Sequence, residues 1–173
     1  NANIHQSANS ELINAIPSHL MSLASQATGI DRFSMAAVDL GEDLFSETML
    51  SRTSSTSCAT CHDPVRVFTD GLAIASGNEP TDAGERSTPT IFNRIFSSMQ
   101  GWGGKNFSVK EQSLGPIEAV HEMNLTIPEA VSRLRSNSNY ANRFQQVFGE
   151  QPNEDNLAAA LSSFQFLQFS PKT

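Results

Sequence analysis

The sequence has little positive charge, only two cysteines and no long apolar run, and each shortage excludes a class of protein. Eleven Lys and Arg residues stand against 18 Asp and Glu residues among 173, which gives a formal net charge of −7. Because the basic residues form no run, we expect neither nucleic acid nor an anionic membrane surface as a partner. No apolar stretch approaches the roughly 18 residues that a membrane-spanning helix needs. The length favours a single domain.

Apolar residues recur at helical spacing over much of the chain, which predicts an all-α fold with long irregular loops. The predicted helices cover residues 10–27 with a break at Pro17, then 34–45, a helix that begins near Thr126, 140–148 and 154–169. Ser34 is a candidate N-cap, and Thr126 with Glu129 has the pattern of a capping box. Gly41 lies inside an apolar stripe and predicts a close approach to something large and flat.

Residues 64–106 show no sustained period and are rich in Gly, Ser, Thr, Pro and Asp. This composition predicts a loop. A loop of that length inside a compact domain is unusual unless it serves a site or wraps a cofactor. We therefore expect this segment to border the functional site.

The two cysteines lie three positions apart and are followed at once by a histidine, in Cys58-Ala59-Thr60-Cys61-His62. This is the attachment signature of c-type haem. On a helical turn the two thiols meet the two haem vinyl groups, and the imidazole of the next residue lies under the iron. A thioredoxin-like redox pair would need a βαβ setting, and a zinc site would need two further ligands. We therefore predict one covalent haem c with His62 as its iron ligand.

The ligand on the opposite side of the iron is left open by the sequence. The candidates are the other histidines and all the methionines, namely His5, His19, His121, Met21, Met35, Met49, Met99 and Met123. Cytochromes that transfer electrons fill this sixth position, whereas haem enzymes leave it open or displaceable. Spacing alone does not choose between the two classes.

The segments around the haem motif resemble the bacterial di-haem cytochrome c peroxidases and the related di-haem enzyme of methylamine utilisation. The resemblance runs from about Leu40 to Met123 and extends to the closing helices. The matching segments are Leu40-Gly41-Glu42-Asp43-Leu44-Phe45, Leu50-Ser51, Ser57-Cys58-Ala59-Thr60-Cys61-His62, Phe68-Thr69-Asp70-Gly71, Arg86-Ser87-Thr88-Pro89-Thr90-Ile91-Phe92-Asn93, Gly101-Trp102-Gly103-Gly104, Glu111-Gln112-Ser113-Leu114-Gly115-Pro116-Ile117 and Glu122-Met123.

The resemblance implies the N-terminal, peroxide-reacting haem domain of that two-haem family. It implies that His62 is the proximal ligand, that Glu122 is a general acid and base for peroxide, and that Gln112 orients peroxide or water. Trp102 matches a tryptophan that relays electrons between the two haems. The implied fold is a cytochrome c-like haem domain. We divide the chain into an N-terminal arm, 1–33, and a single c-type haem domain, 34–173.

Three departures from the family pattern limit what can be transferred. The usual Trp-Asp-Gly-Arg is replaced by Trp102-Gly103-Gly104-Lys105, so an ion pair or a haem propionate contact is lost. An Asn that helps to bind calcium in the peroxidases is replaced by Ser87, which argues against calcium here. The loop between Asp63 and Glu85 contains no His that would cap a resting haem iron.

These observations predict peroxidase-type chemistry. Hydrogen peroxide would be reduced at an open haem iron, with electrons from a separate haem partner or a second haem-bearing chain. The alternatives are a mono-haem electron carrier with a filled sixth position, an open-haem sensor for a gas, and a fragment of a longer two-haem enzyme. The sequence starts at Asn1 without a signal-peptide pattern, so we interpret it as a mature or trimmed product. A periplasmic location is inferred from the haem motif.

Overall fold

The computed structural model describes residues 17–22, 34–77 and 86–169, and the regular secondary structure there is helical. Within those residues no β-strand forms, and the only pairing of that kind is an isolated bridge between Gln100 and Asn106. From residue 34 onward the α-helices are α1 (Met35–Phe45), α2 (Cys58–Cys61), α3 (Val109–Glu118), α4 (Ile127–Ser136), α5 (Ser138–Phe148) and α6 (Glu154–Phe166). Short 3-10 turns lie at Thr48–Leu50, Pro64–Arg66 and Arg94–Phe96. The prediction of an all-α fold is confirmed.

Helices α1 and α6 pack against each other at the centre of the fold, and Gly41 is the point of closest approach. A Cβ atom built on Gly41 would lie 2.0 Å from the backbone oxygen of Ala160 in α6. The expectation of a close approach is therefore correct, but the partner is a helix backbone rather than a large flat group. The absence of a side chain lets the two helices approach closely enough to bury the apolar faces of both.

The helix ends follow the predicted capping residues with one difference. Ser34 caps α1, since its hydroxyl accepts the amide proton of Ala37 at 3.2 Å. The Thr126 hydroxyl accepts the Glu129 amide proton in the same way. The predicted capping box is incomplete, because the Glu129 carboxylate accepts from the Thr126 hydroxyl at 2.8 Å instead of from the backbone at Thr126.

Helices α4 and α5 turn their predicted apolar stripes toward the core, although Val147 and Phe148 at the end of the α5 stripe are only partly buried. Val131 and Leu134 of α4 are buried, as are Tyr140 and Phe144 of α5. Helix α5 ends at Gly149, whose backbone adopts the left-handed conformation with φ of 74°. That conformation favours glycine at a helix C-terminus.

Helix α6 is shorter than predicted. It ends at Phe166, whereas the sequence pattern extended it to residue 169. Beyond it the amide of Phe169 donates to the carbonyl of Leu167, and the Phe169 ring packs at a steep angle against Phe96. These contacts direct the end of the chain toward the loop that contains Phe96. The helix therefore stops at Phe166, although the apolar residues keep their helical spacing to residue 169.

Part of the N-terminal prediction lies outside the described residues. Residues 18–22 are helical and follow Pro17, which agrees with a second piece after a break, but the rest of the predicted helix over 10–27 is not described. The division into an arm, 1–33, and a haem domain, 34–173, stays a prediction. Among the described helices none is both long and apolar enough to span a bilayer.

Candidate haem site

The haem motif lies on its own short helix, α2, which the preceding segment holds in place. The Ser57 amide donates to the Thr60 hydroxyl at 3.0 Å and caps the helix. Upstream, the guanidinium of Arg133 in α4 donates to the carbonyl oxygens of Met49 at 2.9 Å and Ser51 at 2.7 Å. These bonds attach the segment that precedes the motif to helix α4, and they fix the position of the motif relative to the core.

Cys58 and Cys61 are free thiols at either end of this single helical turn. Burial raises the pKa of Cys58 to about 12, and burial together with the charges of Asp70 and Glu122 raises the pKa of Cys61. Both groups are therefore neutral thiols at physiological pH. Both line the same cavity, which places them where thioethers to one flat group could form.

The imidazole ring of His62 is held by a hydrogen bond from its Nδ1 to a backbone carbonyl. Its Nδ1 lies 3.1 Å from the carbonyl oxygen of Phe68, which has no proton, so Nδ1–H donates. Burial lowers the pKa of His62, while the Phe68 carbonyl, the nearby charge of Asp70 and the Pro89 carbonyl oppose that effect. A neutral imidazole with Nδ1 protonated keeps its lone pair on Nε2. This is the state and tautomer that a metal ligand requires.

The segment that supplies the Phe68 carbonyl has an unusual backbone. Val67 and Phe68 adopt positive φ angles of 56° and 58°. Such a conformation is unfavourable for a β-branched residue. Just beyond, the buried Asp70 accepts from the Thr88 hydroxyl at 3.0 Å and from the Leu72 amide at 3.0 Å. The turn brings both a carbonyl acceptor and a negative charge behind the imidazole.

A cavity of about 300 Å³ opens in front of the motif, within the size range of cofactor sites. Its apolar walls include Phe45 from α1, Ile91 from the long loop and Val109 from α3. The same cavity is lined by Gln112, Glu122 and Trp102. Side chains that are distant in sequence from Cys58, Cys61 and His62 therefore line the same cavity.

Glu122 lies on the turn that follows α3. That turn is closed by the Glu122 amide, which donates to the Ala119 carbonyl at 2.9 Å, and by the Met123 amide, which donates to the Pro116 carbonyl at 3.1 Å. Desolvation raises the pKa of the Glu122 carboxyl although the cavity mouth leaves it accessible. A carboxyl with a raised pKa can exchange protons nearer to neutral pH than an ordinary one.

Gln112 lies on the cavity-facing side of α3, and its amide is oriented by a neighbour. Its Oε1 accepts from the Asn106 side-chain amide at 2.8 Å. The same Oε1 lies 3.2 Å from the position that a Cβ on Gly101 would occupy. Trp102, in the same loop, donates from its indole nitrogen to the Ser87 carbonyl at 2.8 Å and is 60% exposed. The loop thus fixes an amide on the cavity wall and an aromatic ring at the surface.

The sixth-ligand candidates separate clearly by position. Met123 is 2% exposed and lines the cavity. Met99 and His121 are exposed, and neither lines the cavity. The remaining described candidates, His19, Met21, Met35 and Met49, also lie away from it, and His5 lies outside the described residues.

Sequence reasoning missed several polar residues of the wall, among them Arg94, Gln100 and Gln165. Arg94 is the only Lys or Arg lining this cavity in the described part of the chain, and it is held by Gln100 Oε1 at 3.1 Å and by the Met99 carbonyl at 2.6 Å. Gln165 of α6 donates to the Ser113 hydroxyl at 2.9 Å. A polar residue interrupting the apolar end of α6 was the one signal that could have indicated Gln165.

The donor set and the cavity fit a c-type haem. Two thiols and an imidazole whose Nδ1 is held by the Phe68 carbonyl line the cavity, and apolar side chains offer surface for a macrocycle. The guanidinium of Arg94 supplies a positive charge of the kind that pairs with carboxylates such as haem propionates. No group of three or more His, Cys, Asp or Glu side chains able to hold a metal ion occurs among the residues described.

Comparison with known proteins agrees with this site. A sequence model of the family described as "Di-haem cytochrome c peroxidase" matches residues 35–173. The chain belongs to this family. Curated members include the methylamine utilization protein MauG of Methylorubrum extorquens, which is 39% identical over 132 residues, 74% of this chain and 36% of its own. The cytochrome c551 peroxidase of Pseudomonas aeruginosa is 32% identical over 171 residues, 97% of this chain and 47% of its own.

Solved structures of the family share the fold. A MauG-like protein associated with microbial copper homeostasis superposes with a TM-score of 0.74 at 27% identity, covering 81% of this chain and 42% of that one. The di-haem peroxidase BthA from Burkholderia thailandensis gives a TM-score of 0.68 at 20% identity, over 80% of this chain and 40% of that one. The chain spans less than half the length of these relatives, and it matches the N-terminal part of the family.

Proposed function

We propose that the chain forms the peroxide-reacting haem domain of a cytochrome c peroxidase-like enzyme. Cys58 and Cys61 would hold one haem c through thioether bonds, and His62 would ligate its iron through Nε2. When bound, the haem supplies the iron that exchanges electrons with hydrogen peroxide. The overall reaction consumes one H₂O₂, two protons and two electrons and gives two waters. The observation that carries this proposal is the single cavity shared by the haem motif, Gln112 and Glu122.

Glu122 is proposed as the proton-transfer residue. Breaking the O–O bond requires that a proton leave one peroxide oxygen and reach the other, so that the departing oxygen leaves as water. The Glu122 carboxylate takes the first proton and returns it. Desolvation raises the pKa of this carboxyl, which brings the two protonation states closer in energy at the pH of the reaction.

Gln112 is proposed to bind and orient peroxide, because its amide lies on the same cavity wall and its side chain is already held by Asn106. Trp102 is proposed as an electron relay toward a partner. Its ring is exposed while its indole nitrogen is fixed to Ser87, so the ring can lie at a contact surface without moving. The electrons would come from a separate haem-bearing protein or domain, and we propose a periplasmic location.

The direct test measures peroxide consumption by the haem-loaded protein supplied with an excess of a reduced electron donor. Glu122→Gln should lower the rate by roughly 100-fold or more, the range for loss of a general acid and base. The matched control is Glu118→Gln, which removes a carboxylate from the exposed end of α3 outside the cavity lining. An equal rate for all three proteins would contradict the proposal.

A second candidate function, a mono-haem electron carrier, is favoured by one observation. Met123 is buried and lines the cavity, and a thioether sulfur is a common sixth ligand in electron-transfer cytochromes. If Met123 ligated the iron, peroxide would have no open position. The two candidates therefore differ in whether the spectrum of the ferric haem depends on Met123.

A further inference from the structure

The cavity wall that carries Gln112, here called the distal wall, contains a pair of side-chain amides. One amide, that of Asn106, fixes the orientation of the other, that of Gln112. Asn106 donates from its Nδ2 to Gln112 Oε1 at 2.8 Å, and both side chains are half-buried. An amide has a donor end and an acceptor end. The acceptor end of Gln112 is occupied by Asn106, so its donor end, Nε2, is the one left for the cavity. Within the described residues, Gln112 Nε2 donates no hydrogen bond.

Both members of the pair are anchored by backbone bonds. The Gln100 amide donates to the Asn106 carbonyl at 2.8 Å and closes the loop that carries Trp102. Gln112 lies in the first turn of α3, where its amide donates to the Ser108 carbonyl at 3.2 Å. The Ser108 hydroxyl also caps this helix by accepting the Glu111 amide proton at 3.1 Å. The pair therefore joins a closed loop to a capped helix start, and neither end is free to drift.

We propose that Asn106 is a positioning residue that sets the Gln112 amide with its N–H group, rather than its carbonyl, toward the ligand on the iron. This inference rests on the proposed function, because it concerns the same open site. Peroxide and small anions present lone pairs to a distal residue, so they are bound by a donor and repelled by an acceptor. Without Asn106 the two ends of the Gln112 amide would compete, and half of the orientations would oppose binding.

The proposal makes an inversion test possible. In Asn106→Asp, position 106 can only accept at neutral pH, so the Gln112 amide must rotate to donate Nε2–H to the new carboxylate. Its carbonyl then faces the cavity. Asn106→Leu removes the bond without imposing the reverse orientation. The probe is fluoride, which binds ferric haem and accepts hydrogen bonds.

We expect fluoride to bind the haem-loaded wild-type protein most tightly, Asn106→Leu less tightly and Asn106→Asp least tightly. Each step should change the dissociation constant roughly 2- to 10-fold, as expected for gain or loss of one hydrogen bond. A second readout is the C–O stretching frequency of the ferrous carbon monoxide complex, which should rise in the same order because a nearby N–H donor lowers it and a nearby acceptor raises it. Thermal unfolding of all variants checks that the fold is retained.

The same substitutions in a Gln112→Ala background separate orientation from charge. If Asn106 acts through Gln112, the differences between Asn106 variants should shrink strongly there. Differences that persist unchanged in that background would overturn the inference while leaving the proposed function intact. A wild-type haem protein that binds no fluoride would instead contradict the open sixth position, and the inference with it.

Discussion

The two sides of the cavity are held by different kinds of hydrogen bond. On the proximal side, residues 57–70, the His62 ring is held by the backbone carbonyl of Phe68. The distal side, residues 100–123, is assembled from a loop, a helix and a turn, and its key orientation depends on one side chain donating to another. Because the bond that holds His62 ends on a backbone carbonyl, replacing the Phe68 side chain does not remove the acceptor. The bond that orients Gln112 comes from a side chain, so one substitution at position 106 removes it.

The largest expected effect comes from removing the contiguous motif itself. Replacing both Cys58 and Cys61 by Ala removes both thioether positions, so we expect no covalently attached haem. Ala59→Ser, a change between the two thiols on the same helical turn, should leave attachment intact. The measurement is the mass of the denatured protein. Haem that stays attached in the double variant would contradict the assignment of the motif.

The next effect concerns the helix pair that supports both sides, since α1 contributes Phe45 and α6 contributes Gln165 to the cavity. Gly41→Ala would place a methyl group 2.0 Å from the Ala160 oxygen, which is backbone and cannot rotate away. We expect the free energy of unfolding to fall by about 3 kcal/mol. Denaturant unfolding would measure it.

The control for that change is Glu42→Ala, at an exposed position of the same helix. It should alter stability by no more than about 0.5 kcal/mol. Equal effects of the two substitutions would show that α1 and α6 do not meet closely at Gly41.

A change of pH should separate the distal side from the proximal side. Because desolvation raises the pKa of Glu122 above its ordinary 4.5, its carboxylate is lost at a higher pH than usual as the solution is acidified. The rate of the peroxide reaction should therefore fall about tenfold per pH unit below that raised pKa. Glu122→Gln should lack this acid limb, and its persistence in that variant would assign the limb to another group.

The same carboxyl has an effect on stability with a defined sign. Between 4.5 and the raised pKa, the folded protein keeps a proton that the unfolded chain has lost. The contribution of Glu122 to the free energy of unfolding therefore falls as pH rises through that window. Urea unfolding at several pH values should show this slope in the wild type and a flatter one in Glu122→Gln.

The smallest expected effect is a change in stability from substitutions in the turn next to Phe68, whose carbonyl holds the His62 ring. Val67 is 59% exposed and holds a positive φ of 56°, so Val67→Gly should relieve strain and stabilise the fold by about 1 kcal/mol. Val65 is 90% exposed on the adjacent 3-10 turn, where φ is not positive. Val65→Gly should instead destabilise by about 0.5–1 kcal/mol. Thermal unfolding of the two variants would detect the opposite signs.

The sequence predicted these regions to different degrees, for physical reasons. The signature of haem attachment occupies five consecutive residues, so Cys58, Cys61 and His62 could be predicted from spacing alone. Gln112 and Glu122 were named only through the family resemblance, because a sequence pattern does not show which polar side chain faces a cavity. The bond between Asn106 and Gln112 depends on how a loop folds back on a helix, which no local pattern encodes.

The fold shows the same contrast. Capping residues and apolar stripes predicted the bounds of α1 and α5 closely, since both act within one helix. The small residue at position 41 indicated a close contact but not its partner. The end of α6 was misplaced because its last aromatic residues pack against a distant loop rather than along the helix.

The central claim is that the side of the cavity opposite His62 is open for peroxide. The most direct test is the optical spectrum of the ferric haem protein, compared with that of Met123→Leu, a substitution of similar volume. The account predicts a high-spin spectrum that Met123→Leu leaves unchanged and that added fluoride alters. A low-spin spectrum that Met123→Leu converts to high-spin would contradict it, because Met123 would then fill the position that peroxide needs.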